Sequence, residues 1–253
     1  MKRITYEILG SFGKKKNRIE ISLSKHSSRL IILLHGAFGY PYHIAPTKYH
    51  FFIESLSSEY HICLYQTSRY FEWRERPQLT FESYRDASFD GKTFAMELND
   101  VLSSCREIVA RTKKETQKKV LDITLVGFSL GGIMSIYVSA ALQNVDSIFM
   151  IGTGVRFLND FSVPVLGSLP SEKGILRKLG AFGGAAHFLR GSLDDMATSE
   201  ATRLLFESAT HAEERSLVEY KGVDHRFISK NGRLIERELN SVLLTYIRNN
   251  IPE

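Results

Sequence analysis

Hydrophobic and polar positions alternate at the start of the chain and then give way to unbroken apolar runs. Residues 4–9 (Ile4-Thr5-Tyr6-Glu7-Ile8-Leu9) and 18–23 (Arg18-Ile19-Glu20-Ile21-Ser22-Leu23) largely change character at every second position, the period of a strand with one wet face. The glycine- and lysine-rich stretch 10–16 between them predicts an antiparallel hairpin at a sheet edge. Leu30-Ile31-Ile32-Leu33-Leu34 and His61-Ile62-Cys63-Leu64-Tyr65 show no such alternation. Strands of this kind are covered on both faces, as in a parallel sheet. A helix including residues 51–58 between them completes a β-α-β crossover.

From 66 to 91 the periodicity is lost, and aromatics (Tyr70, Phe71, Trp73, Phe81, Tyr84, Phe89) mix with Arg69, Arg74, Arg76 and Arg85. A stretch this long without a period predicts a functional, lid-like loop. Helical spacing resumes at Phe94, Leu98, Val101, Leu102, Cys105, Ile108 and Val109. Further strands are predicted at 120–126, 147–151, 185–189 and 217–220, with helices at 131–142, 175–179, 198–210 and 234–247. Thr198 or Ser199 is the cap of the helix at 198–210. The pattern predicts one α/β domain over 1–253, a mostly parallel sheet with helices on both faces, and a small cap at about 155–180.

Composition narrows the partners. The chain has 253 residues, 43% of them hydrophobic, enough for a substantial core. Its formal charge of +5 is concentrated in Lys14-Lys15-Lys16 and in Lys113, Lys114, Lys118 and Lys119, without interleaved aromatics, which predicts solvated surface and no nucleic-acid partner. Two cysteines, Cys63 in an apolar strand and Cys105 in a helix, predict reduced buried thiols and no metal site. Glu7 interrupts the first apolar stretch, so no export signal is expected, and no apolar run approaches membrane-spanning length. A cytoplasmic protein without stable membrane insertion is the expectation. The pattern carries no mark of oligomeric state.

The chemistry concentrates at Gly127-Phe128-Ser129-Leu130-Gly131-Gly132, which joins an apolar strand to a helix of small and apolar residues. A serine on so sharp a turn is a nucleophile elbow, and the flanking glycines let strand and helix approach without Cβ clashes. A serine hydroxyl needs an imidazole to take its proton and a carboxylate to orient that imidazole. In this architecture the acid and then the histidine follow the serine along the chain. Of the downstream histidines, His187 lies inside a strand and His211 in a polar surface stretch, which leaves His225 on the loop Gly222-Val223-Asp224-His225-Arg226-Phe227. Asp194, in Gly191-Ser192-Leu193-Asp194-Asp195, is the chosen acid; Asp195, which is also placed to cap the next helix, is its close competitor, and Asp160 a weaker one. Asp224 is assigned to holding its loop backbone.

Together with His35-Gly36-Ala37-Phe38-Gly39 after an early strand, these motifs resemble the serine hydrolases of the α/β-hydrolase fold along nearly the whole chain. The resemblance implies an eight-stranded sheet and an oxyanion hole formed by the backbone amides of Ala37 and Leu130, with His35 bracing its loop. It also implies an acyl-enzyme mechanism with no metal or organic cofactor. A small-molecule acyl substrate is expected: a carboxylic ester first, then a thioester, with a carbon-carbon bond hydrolase or lyase, or a non-catalytic binding protein, as rivals. Phe38, Tyr40, Tyr42, Trp73 and the 155–179 segment are candidates to line the substrate pocket. The chain departs from many relatives in carrying Met196-Ala197 where they have a Val-Pro pair.

Overall fold

The computed structural model describes residues 2–25, 27–37, 48–68, 78, 80, 83, 87–119, 121–157, 163–230 and 236–252. Its frame is an eight-stranded sheet of order β1-β2-β4-β3-β5-β6-β7-β8. The strands are β1 (Lys2–Leu9), β2 (Lys16–Leu23), β3 (Arg29–Leu34), β4 (His61–Gln66), β5 (Asp122–Phe128), β6 (Val145–Ile151), β7 (Ala185–Gly191) and β8 (Arg215–Tyr220). β1 pairs antiparallel with β2, and β2 antiparallel with β4; every other pairing is parallel. The edge hairpin and the central parallel sheet are those the hydrophobic pattern predicts.

The described helices are α1 (Lys48–Leu56), α2 (Phe94–Thr116), α3 (Leu130–Ala141), the short α4 (Pro164–Gly167), α5 (Glu172–Gly180), α6 (Ser199–Ser208) and α7 (Glu236–Asn249). They divide between two faces. Tyr49, Phe52 and Ile53 of α1 and Leu239, Leu243 and Ile247 of α7 pack with Ile31, Leu33, Ile62 and Phe149 on one side of the sheet. Val101, Cys105, Ile108, Ile133, Ile136, Ile175, Leu179 and Leu205 pack with Leu30, Ile32, Leu125 and Ile148 on the other. Each fully buried large aliphatic or aromatic chain contributes roughly 1.5–3 kcal/mol, so these two layers dominate stability. Within 155–180, Val165, Leu166, Ile175 and Leu179 join the second layer directly.

One strand end runs past its expected limit and one choice of cap is narrowed, each for a physical reason. β5 runs to Phe128, two residues beyond the apolar run, because Gly127 still pairs with Leu34 and Met150 on either side. The ladder therefore leads straight into the elbow. α6 is capped by Thr198, whose side chain accepts a hydrogen bond from Ala201 N, so the capping role offered to Asp195 is corrected. Asp195 is exposed.

Candidate active site

Ser129 stands between the last residue of β5 and the first of α3, with φ 54° and ψ −119°. That left-handed φ is strained for a residue with a Cβ, and it persists because the surroundings over-determine it. Its N–H donates to Ile151 O at 2.8 Å, and its carbonyl accepts Gly132 N at 2.9 Å. At Gly131, a Cβ would overlap the carbonyl of Leu34, so helix and sheet approach to a distance only glycine allows. The turn leaves the serine half-buried, with its side chain outside the ladder.

His225 Nε2 lies 3.0 Å from Ser129 Oγ, and His225 Nδ1 lies 3.0 Å from both carboxylate oxygens of Asp194. The three residues come from the ends of β5, β7 and β8. The loop that carries His225 is a tight turn: Phe227 N donates to Asp224 O, Asp224 N to Ile228 O, and Phe227 takes φ 59° with its ring buried. The Asp224 carboxylate accepts the N–H groups of Arg226 and Ile228, both at 3.0 Å, so it holds the loop backbone. The Asp194 carboxylate is fully buried and also accepts Met196 N at 3.0 Å and Ala197 N at 2.8 Å. A proline at either position would remove one of those donors, which gives the departure at Met196-Ala197 a physical meaning.

Beside the elbow runs the His35-Gly36 loop, where a Cβ on Gly36 would lie 3.2 Å from Ser129 Cβ. His35 is buried with Nδ1 3.0 Å from Gly36 O, and Ala37 is buried next to it. Leu130 opens α3, so its N–H is among those without an acceptor inside the helix. The structure thus brings Ser129, His225 and Asp194 to hydrogen-bonding distance and sets Leu130 and the Gly36-Ala37 loop beside them. His187 is buried in β7 with Nδ1 2.8 Å from Ser216 Oγ, and His211 is exposed. Phe38, Tyr40, Tyr42, Trp73 and Asp160 lie outside the described residues.

Two further neighbours stand at the site: Phe157, which belongs to the 155–179 segment already named for the pocket, and Thr153, which escaped the sequence reading. The Phe157 ring meets the His225 imidazole edge to face, with centroids 6.2 Å apart, and Thr153 Oγ1 donates to Ser129 O at 3.0 Å. The nearest sequence clue was Gly152-Thr153-Gly154 directly after a strand, with Gly152 at φ 58°. Among the described residues, no cluster of three or more His, Cys, Asp or Glu could hold a metal ion, and no helix is long and apolar enough to cross a membrane.

No model of a known protein family matches the chain, and no curated protein matches it. Solved structures do. The chain is similar to a serine hydrolase without a lid from Xanthomonas campestris, at TM-score 0.61 and 14% identity over 100% of this chain and 97% of that one. It is similar to a thermostable carboxyl esterase from Bacillus coagulans, at TM-score 0.65 and 12% identity over 98% and 99%. A dienelactone hydrolase from Anabaena variabilis matches at TM-score 0.63 and 13% identity over 100% of both chains. The chain therefore has the α/β-hydrolase fold.

Proposed function

We propose that the protein is a serine hydrolase that cleaves a small carboxylic ester. The observation that carries this reading is the unbroken contact from Ser129 Oγ through His225 to a buried, doubly amide-bound Asp194. Ser129 Oγ attacks the acyl carbon while His225 Nε2 takes its proton. Asp194 holds the imidazole by Nδ1 and stabilises its charged form. The carbonyl oxygen becomes an oxyanion that the N–H groups of Leu130 and Ala37 receive, each such donor being worth about 10² to 10³ in rate.

The proton on His225 then passes to the leaving alkoxide, and the acyl group stays on Ser129. Water repeats the sequence: it attacks the acyl-enzyme, gives a proton to His225, and the collapse returns that proton to Ser129 with release of the carboxylic acid. Phe157 packs its ring edge to face against the imidazole and gives His225 an apolar neighbour. The chemistry so written needs no metal or organic cofactor.

Labelling with a fluorophosphonate probe tests the assignment, together with hydrolysis of p-nitrophenyl esters of graded acyl length. Wild-type protein is expected to label once and to show a burst of p-nitrophenol, and Ser129→Ala and His225→Ala to lose both. Wild-type protein that neither labels nor hydrolyses any ester, or labelling that survives Ser129→Ala, would overturn the reading. Acyl-CoA thioesters in the same panel separate thioester from ester preference.

A further inference from the structure

Directly after β6, residues 152–155 run beside each of the three loops that carry the site. A Cβ on Gly152 would lie 3.5 Å from Asp194 Oδ2 and 3.4 Å from His225 O. Thr153, 1% exposed, has a hydroxyl with one proton and two carbonyls in reach: Ser129 O at 3.0 Å and Ile151 O at 3.4 Å. The shorter contact takes the proton. The carbonyl of Thr153 is itself fixed, accepting Thr202 Oγ1 at 2.9 Å, and Val155 N donates to Ala201 O at 3.2 Å. Thr202 and Ala201 belong to α6, whose cap Thr198 follows the amides that bind Asp194.

The place occupied by Thr153 exists only because residue 132 is glycine, since a Cβ there would overlap Thr153 Oγ1. The glycine pair at 131 and 132 thus has two tasks. Gly131 admits the sheet, and Gly132 admits a hydroxyl to the elbow carbonyl.

That carbonyl shares a planar peptide unit with the N–H of Leu130. Fixing the oxygen fixes the direction of the N–H, and a hydrogen bond donated to the oxygen polarises the unit and makes its N–H a stronger donor. Gly132 N supplies one such bond from within the turn, and Thr153 the other from the neighbouring strand end. We infer that Thr153 is a positioning residue of the oxyanion hole: by donating to the Ser129 carbonyl, its hydroxyl aims and strengthens the Leu130 N–H that meets the tetrahedral intermediate. This rests on the assignment of Ser129 as nucleophile and Leu130 N–H as oxyanion donor.

The test compares full-length wild type with Thr153→Val, which keeps the shape and loses the hydroxyl, and Thr153→Ser, which keeps the hydroxyl. Steady-state kinetics on an ester that the wild type cleaves give kcat and KM. An aryl trifluoromethyl ketone, whose adduct with the serine carries an oxyanion, reports the hole directly. Loss of a whole oxyanion donor costs about 10² to 10³, so its misalignment in Thr153→Val should lower kcat about 5- to 30-fold with KM within about twofold. Ketone affinity should fall by the factor seen in kcat/KM, and Thr153→Ser should stay within about threefold of wild type.

If the valine variant fails to fold, Thr153→Ala carries the same expectation. Unchanged kcat and ketone affinity in the variant without the hydroxyl would overturn the inference, as would a serine variant that falls equally far. A loss of kcat without loss of ketone affinity would overturn it too. A wild type inert to both ester and ketone would instead remove the hydrolase assignment, and this inference with it.

Discussion

Ser68 follows β4 and Ser129 follows β5, two strands that flank β3, and both hydroxyls are coupled to a buried aspartate. At Ser68 the coupling is direct: Oγ donates to Asp100 Oδ2, which also accepts Ser68 N at 2.9 Å and Lys92 Nζ at 2.5 Å. Ser11 N takes the other oxygen at 2.6 Å, and Glu97 pairs with the same ammonium at 2.9 Å. Ser68, Lys92 and Asp100 have no exposed surface. At Ser129 an imidazole stands between hydroxyl and carboxylate, and the serine keeps an open side. Similar residue types therefore make a closed clamp in one place and a candidate reaction centre in the other. What separates them is a group able to carry a proton back and forth, and a face left for substrate.

Removing one charge from each cluster is the strongest way to break that comparison. Asp194→Asn should reduce kcat by about 10⁴, as expected when the imidazole loses its orienting charge, with unfolding free energy changed by no more than about 1 kcal/mol. Lys92→Met should do the reverse. Stranding two buried carboxylates without their cation costs about 3–5 kcal/mol, read by urea unfolding, while ester hydrolysis by the folded fraction stays within about tenfold of wild type. If both variants lost activity and stability together, the two clusters would be one functional unit and the contrast would fall.

The two regions were not equally legible. Runs such as Leu30 to Leu34 are apolar at every position because β3 is covered on both faces, so the sheet could be read directly. The elbow was legible because close backbone approach demands glycine, and glycine is visible in a sequence. Asp194 and Asp195 could not be told apart by pattern, since the turn that buries one and exposes the other is set by the amides of Met196 and Ala197. Lys92, just before α2, and Glu97 and Asp100 within it belong to no sequence motif; what buries them is a loop from the far hairpin and the end of β4. Thr153 was hidden for the same reason, its partner carbonyl lying 24 residues earlier in the chain.

A smaller effect sharpens the contrast in backbone terms. Ser129 holds φ at 54°, whereas none of Ser68, Lys92, Glu97 and Asp100 has a positive φ. Strain of that kind costs of order 1–3 kcal/mol, and glycine relieves it. Ser129→Gly should therefore abolish hydrolysis yet raise the unfolding free energy by about 1 kcal/mol, the relief being partly offset by glycine's greater unfolded-state entropy. A destabilised Ser129→Gly would mean that the serine contributes packing and the elbow stores no strain.

The smallest effect is a difference in acid sensitivity. Burial alone would raise the Asp100 carboxyl, but the Lys92 charge, with hydrogen bonds from Lys92, Ser68 and Ser11, holds it below the usual carboxylate range. A carboxyl whose folded pKa is depressed adds stability that is fully present above the unfolded value of about 3.9 and is lost as pH falls through the folded value. Urea unfolding followed from about pH 5 downward, until pH has fallen through the folded value, should accordingly show a steeper decline for wild type than for Asp100→Asn, which lacks that titration. The two curves should draw together at the acid end, because protonation of Asp100 leaves the wild type with the same uncharged partner for Lys92 that the asparagine supplies. Parallel curves across the range would mean that Asp100 gains nothing from Lys92 in the folded state, and the clamp would owe its closure to packing alone.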